Sequence, residues 1–166
     1  QAMYPIKGKR TRHYAFYDEL DIKQLSEDRL MEDVFEDALK NGEFQLWYQP
    51  KVDPVTGNIL GAEALIRWKR PDGTMLSPGK FIPLFEKNGN ITTLDEYVFR
   101  TVCAQQQRWL QAGAKLYPIS VNISRVSLYY SNVVDKYREI LNSFRLDPKY
   151  VPLEITESAT IAVSYT

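Results

Sequence analysis

The chain has one cysteine, Cys103, and one histidine, His13, in 166 residues. A lone cysteine excludes an internal disulfide framework and a cysteine-rich zinc centre. A lone histidine in a basic N-terminal stretch argues against histidine-centred triad chemistry. Net charge is also lacking, since 21 Lys plus Arg balance 21 Asp plus Glu. That balance gives no bulk attraction to nucleic acid polymers or anionic membranes. No apolar run approaches the ~20 residues of a membrane span. No signal-peptide pattern opens the chain, and there is no internal repeat or low-complexity tract. The expected location is cytoplasmic. Gln1-Ala2-Met3-Tyr4 does not read as a natural start, so a larger parent is expected, membrane-anchored or not.

Apolar residues make up 44% and aromatics 13%, which is the composition of a globular chain with a sizeable core. Any chemistry must rest on carboxylates, amides, Lys and Arg. Such groups suit hard, oxygen-bound cations, Mg²⁺ or Mn²⁺, better than zinc.

Along the chain, Lys7 to His13 reads as a basic turn and Tyr14-Ala15-Phe16-Tyr17 as a short strand. Ser26 is placed to cap a helix running to about Asn41. Its apolar stripe is Leu30, Val34 and Ala38 with Met31, Phe35 and Leu39, and Gly42 is the stop. Phe44 to Val52 alternates as a strand, with Trp47 the apolar exception on its polar face. Residues 53–58 form a turn by composition, and Ile59 to Trp68 pairs back as a hairpin. A loop with Pro71, Gly73 and Pro78 precedes a short helix from Phe81 to Lys87. A longer helix, Thr93 to Ala112, buries Leu94, Val98, Val102 and Trp109 and ends at Gly113. Cys103 lies in it as a packed thiol. Then come a strand, Pro118 to Ser124, a helix, Asn132 to Phe144, and a strand, Val151 to Thr156. After the hairpin the order is helix, strand, helix, strand, which indicates an α/β fold with parallel strands.

Strands in such a core are normally apolar throughout. Three of these carry polar residues near their C-terminal ends. Glu63 and Arg67 share a face with Leu65, because side chains alternate with period two. Asn122 interrupts the next strand, and Glu154, followed by Glu157, the last. Buried charges are costly unless paired or metal-bound. Singly, each fits a strand-end ion pair. Together, an acid, an amide and an acid fit convergence at the end of a barrel where (β/α)8 active sites lie.

Tyr48-Gln49-Pro50-Lys51-Val52-Asp53 and Gly61-Ala62-Glu63-Ala64-Leu65-Ile66-Arg67-Trp68 resemble the opening of an EAL domain. Ser77 to Glu86, Ser120-Val121-Asn122-Ile123-Ser124 and Leu153-Glu154-Ile155-Thr156-Glu157-Ser158 are similar to its later segments, in order. The resemblance implies an α/β fold, an incomplete TIM-like (β/α)8 barrel whose first strand is antiparallel, with about half of the barrel present. It implies metal-dependent hydrolysis of cyclic di-GMP to the linear dinucleotide. By motif position Glu63, Asn122 and Glu154 would be ligands of Mg²⁺ or Mn²⁺. Arg67 would hold a substrate phosphate, Gln49 and Leu65 would line the substrate, and Glu157 would steady the loop carrying the family's acidic pair. Ala2-Met3-Tyr4, the basic turn and Tyr14 to Tyr17 look like the last helix and strand of a GGDEF domain. The expected organisation is residues 1–18 as a GGDEF remnant, 19–28 as linker and 29–166 as the N-terminal part of an EAL domain.

A complete barrel of this kind needs about 250 residues. The family's Asp-Asp-Phe-Gly pair, its lysine and a later glutamate should follow the fourth motif, and nothing after Ser158 matches them. The 166 residues alone are therefore expected to be inactive. Open sheet edges and helix faces lead to an expectation of self-association. The alternative to an enzyme is a non-catalytic cyclic di-GMP receptor or a dimerisation scaffold.

Overall fold

The computed structural model describes residues 3–6, 13–16, 19–129 and 132–155. The chain forms two units, Gln1–Asp37 and Ala38–Thr166. In the first, β1 (Met3–Ile6) pairs antiparallel with β2 (His13–Phe16), with Tyr4 opposite Ala15. Met3 and Tyr4 thus lie in a strand, where the GGDEF resemblance implied the end of a helix. Pro5 accounts for this, because a residue before proline is pushed out of the α region.

The helix expected from Ser26 begins seven residues earlier. α1 spans Glu19–Asp33, and a turn at Val34 separates it from α2, Phe35–Lys40. Glu, Leu, Lys and Gln are strong helix formers, and they carry the helix back past Ser26 with no apolar stripe to mark it. The buried stripe is narrower than expected. Met31, Phe35 and Ala38 are buried, while Leu30 is exposed. Gly42 takes the left-handed backbone expected of a helix stop, φ 69°.

The second unit is built on one sheet. β3 (Phe44–Val52) and β4 (Ile59–Lys69) form the expected antiparallel hairpin. The Asp53 carboxylate closes its turn, accepting from the backbone N–H groups of Val55 (2.8 Å) and Thr56 (3.1 Å). β5 (Met75–Leu76) is a short addition that pairs with β4. α3 (Pro78–Asn88) and α4 (Ile91–Gln111) lead to β6 (Ile119–Ile123), parallel to β4. After α5 (Arg125–Leu128) and α6 (Val133–Phe144), a 3-10 turn at Pro148–Tyr150 delivers β7 (Leu153–Ile155), parallel to β6. Along the path β3-β4-β6-β7 the first strand runs antiparallel to the other three, and β5, off that path, is also antiparallel to β4. This is part of a TIM-like barrel.

The core lies between the sheet and its helices. Trp68, Phe81 and Phe85 are fully buried around Phe44. Leu94, Val98, Val102 and Cys103 bury one face of α4. Burial pushes the Cys103 thiol up to about 12, so it stays protonated and packed. Trp109 was expected on this face and is partly exposed instead, because the buried row continues through Gln106. Gln106 Nε2 donates to Tyr117 O (2.7 Å) and Tyr150 O (2.9 Å). One amide thereby fixes the approaches to both β6 and β7. The last strand starts at Leu153 and not at Val151, which follows the 3-10 turn and precedes Pro152, a residue with no N–H to donate to a ladder. Among the described residues no helix is long and apolar enough to cross a membrane.

Candidate active site

Period-two alternation places Ala62, Ala64, Ile66 and Trp68 on the helix-covered face of β4 and Glu63, Leu65 and Arg67 on the other. Strand register extends this second face across the sheet. Trp47 lies opposite Leu65, Gln49 opposite Glu63 and Lys51 opposite Gly61. Ser120 aligns with Glu63, and Glu154 with Asn122. The residues singled out in the sequence on β3, β4, β6 and β7 therefore share one face of one sheet.

Three contacts organise it. Asn122 Nδ2 donates to Glu63 Oε1 at 2.6 Å. This uses the amide nitrogen and leaves the amide oxygen as a ligand atom. Lys51 Nζ donates to Ser120 Oγ at 2.9 Å and forms an ion pair with Glu154. The Lys51 ammonium beside it holds Glu154 below the usual carboxylate range. Arg67 is half-buried. Its Nη1 donates to Ile66 O at 2.8 Å, and its guanidinium lies 6.0 Å from the centre of the Trp47 ring. Among the described residues Arg67 forms no ion pair with a carboxylate.

Leu65 is half-buried and Gln49 exposed beside them. A cavity of about 500 Å³ opens next to Leu65 and Asn122 and is lined further by Ile82, Glu86, Asp95 and Ser124. Behind it Asp95 Oδ2 accepts from Ser124 N (2.9 Å) and Ser127 Oγ (2.7 Å), and Ser124 Oγ donates to Glu86 (2.7 Å). These bonds tie α3 and α4 to the end of β6, just beyond Asn122. Glu157 lies outside the described residues.

Lys51 and Ser120 had no role in the motif reading, yet both join the candidate site. The signal for Lys51 was present, since it lies two residues beyond Gln49 and so faces the same way. Ser120 precedes Asn122 by the same interval. Among the described residues no three Asp, Glu, His or Cys side chains come together. The candidate donor set is two carboxylates and one amide. All three offer hard oxygen atoms, which fits Mg²⁺ or Mn²⁺ and does not suit zinc.

The EAL domain family model matches residues 32–164. The bifunctional diguanylate cyclase/cyclic di-GMP phosphodiesterase MucR of Pseudomonas aeruginosa is 34% identical over 161 residues, which is 96% of this chain and 23% of that protein. The cyclic di-GMP phosphodiesterase NbdA of the same organism is 30% identical over 158 residues, 95% of this chain and 20% of that protein. The chain thus spans about a fifth to a quarter of the curated relatives it matches. Among solved structures, the PaMucR phosphodiesterase in complex with c-di-GMP superposes with a TM-score of 0.74 at 35% identity, covering 81% of this chain and 54% of that one. The fold, the ordered motifs and these relatives agree, and the chain belongs to the EAL domain family.

Proposed function

We propose that this chain is the N-terminal part of the EAL domain of a cyclic di-GMP phosphodiesterase, a hydrolase that opens one phosphodiester bond of the cyclic dinucleotide with water. Residues 29–166 belong to that domain in this reading, 19–28 join it to what precedes, and 1–18 close a GGDEF-like domain. What supports the activity most is the motif glutamate, Glu63, held by Asn122 on the face that also carries Arg67, Gln49 and Glu154.

Glu63, Asn122 and Glu154 would hold Mg²⁺ or Mn²⁺. When bound, such a cation lowers the pKa of a water and offsets charge on the phosphoryl oxygens. Asn122 fixes the carboxylate of Glu63 through its Nδ2, so the acid is oriented before any ligand arrives. Arg67 supplies charge-assisted donors to a phosphate oxygen. Leu65 and Gln49 line the same face, one apolar and one hydrogen-bonding. By its motif position Glu157 would steady the loop that carries the family's acidic pair.

Incubation with cyclic di-GMP and Mn²⁺, followed by chromatography, tests the reading. A protein carrying this domain together with the family's acidic pair should release the linear dinucleotide. Glu63→Gln should reduce turnover by at least about 100-fold, the scale at which loss of a metal-site interaction is felt. Binding without turnover would make the domain a receptor instead. The purified 166-residue chain is expected to give no turnover, because no segment of it matches the family's acidic pair and lysine; metal-dependent release of product by it would overturn that expectation.

Self-association of the 166-residue chain is also expected. Among the described residues β7 has one sheet neighbour, β6, and its Leu153 and Ile155 are 40% and 55% exposed. Open edges with apolar side chains pair readily. Sedimentation over a hundredfold concentration range should show a rising mass, and a constant monomer mass would refute it.

A further inference from the structure

Lys51 makes a contact that the motif reading does not use. It stands on β3, while its partner Glu154 stands on β7, with β4 and β6 between them. Neighbouring strands lie about 4.8 Å apart, so the two backbones are roughly 14 Å apart along the sheet. Two side chains meet across that span only because the sheet curls with this face inside.

Two local features clear the path. The residue opposite Lys51 on β4 is Gly61, which puts no side chain between Lys51 and β6. A Cβ there would stand 2.5 Å from Pro118 O, so the close approach of β4 to the start of β6 itself needs a glycine. The register also shifts directly after Lys51. Val52 pairs with Ile59, leaving Leu60 as an extra residue. Such bulges re-aim neighbouring side chains.

We propose that Lys51 is the resident counter-ion of the candidate metal site, a positioning residue that holds Glu154 until a divalent cation takes its place. The inference rests on the reading of Glu63, Asn122 and Glu154 as ligands. In the arrangement described here each acid has its own partner. Glu63 has the Asn122 amide, and Glu154 has the Lys51 ammonium. A divalent cation sharing Glu154 repels the ammonium, which must withdraw from the carboxylate. The Ser120 hydroxyl, 2.9 Å from Nζ, gives the ammonium a second acceptor on which to remain. Lys51 thus competes with the metal while keeping the acid from pairing elsewhere.

The test is Mn²⁺ binding to the protein, followed by paramagnetic resonance of the free ion. Lys51→Met keeps the length and removes the charge, and it should bind Mn²⁺ roughly tenfold more tightly than the wild type. Lys51→Arg should restore wild-type affinity, which a purely steric role would not predict. Circular dichroism checks that the fold survives, and Lys51→Gln replaces the methionine variant if it does not. Equal or weaker binding by the uncharged variants overturns the proposal. Glu63→Gln separates it from the reading beneath. If that variant binds Mn²⁺ as the wild type does, or if no variant binds the ion, the ligand assignment itself falls and the role of Lys51 with it.

Discussion

Replacing Trp68 with alanine is expected to destabilise the domain by about 3–5 kcal/mol, the range for truncating a fully buried tryptophan. Trp68 has no exposed surface. Its ring centre lies 4.8 Å from that of Phe44, its register partner on β3, 5.7 Å from Phe81 and 5.8 Å from Phe85. The ring therefore joins the β-hairpin to α3. Its Nε1 donates to Glu43 Oε2 at 2.8 Å, so the polar atom is satisfied. Alanine would leave a void among three phenylalanines that are themselves held by backbone, and the void could close only in part. Domains of this kind are stable by about 5–15 kcal/mol in all, so the loss takes a large share. Trp68→Phe keeps a ring, loses the bond to Glu43, and should cost less than half as much. Urea unfolding decides it, as a lower midpoint with an unchanged slope. A midpoint for the alanine variant within error of the wild type would refute the packing argument.

Trp68 also shows what a sequence can reveal. Alternation alone put Glu63 and Arg67 on one face of β4 with Leu65, and period two then leaves Trp68 to the opposite, helix-covered face. The same logic gave the bounds of β3 to the residue. Side chains that meet across strands are a different matter. Lys51 and Glu154 are 103 positions apart, and no local pattern names the partner of a lysine on β3. Gln106 is hidden for the opposite reason. It occupies an apolar position in the row of α4, and only the two carbonyls it bonds explain why an amide is there. The start of α1 escaped because Glu19 to Gln24 form a helix by propensity, with no apolar period to read. Asp95 belongs with Gln106: a charged residue on a buried helix face, next to Leu94 in a row otherwise apolar, whose role depends on what lies behind it.

Asp95 should make the domain less stable as pH rises from about 4 to about 7. Asp95 is 7% exposed, and burial lifts its pKa to about 6 from an ordinary 3.8. The bonds from Ser127 and Ser124 pull the other way, and the nearby charge of Glu86 adds to the rise. The folded state therefore holds a proton that the unfolded chain releases near pH 4. Stability from this group is complete below that point and is lost as pH climbs through 6. A shift of about two units corresponds to about 3 kcal/mol, of which about 2–3 falls between pH 4 and pH 7. Glu154, Glu96, Asp53, Asp72 and Asp147 have lowered values, so their contributions fade at pH below the ordinary carboxylate range, away from this window. Asp95→Asn retains an acceptor for Ser124 N and Ser127 Oγ without the charge. Urea unfolding of both proteins at pH 4 and pH 7 should show the asparagine variant gaining about 2–3 kcal/mol relative to the parent at the higher pH. Parallel pH profiles for the two would mean that Asp95 is ionised at no cost in the folded state, and that the polar cluster at the end of β6 is wet.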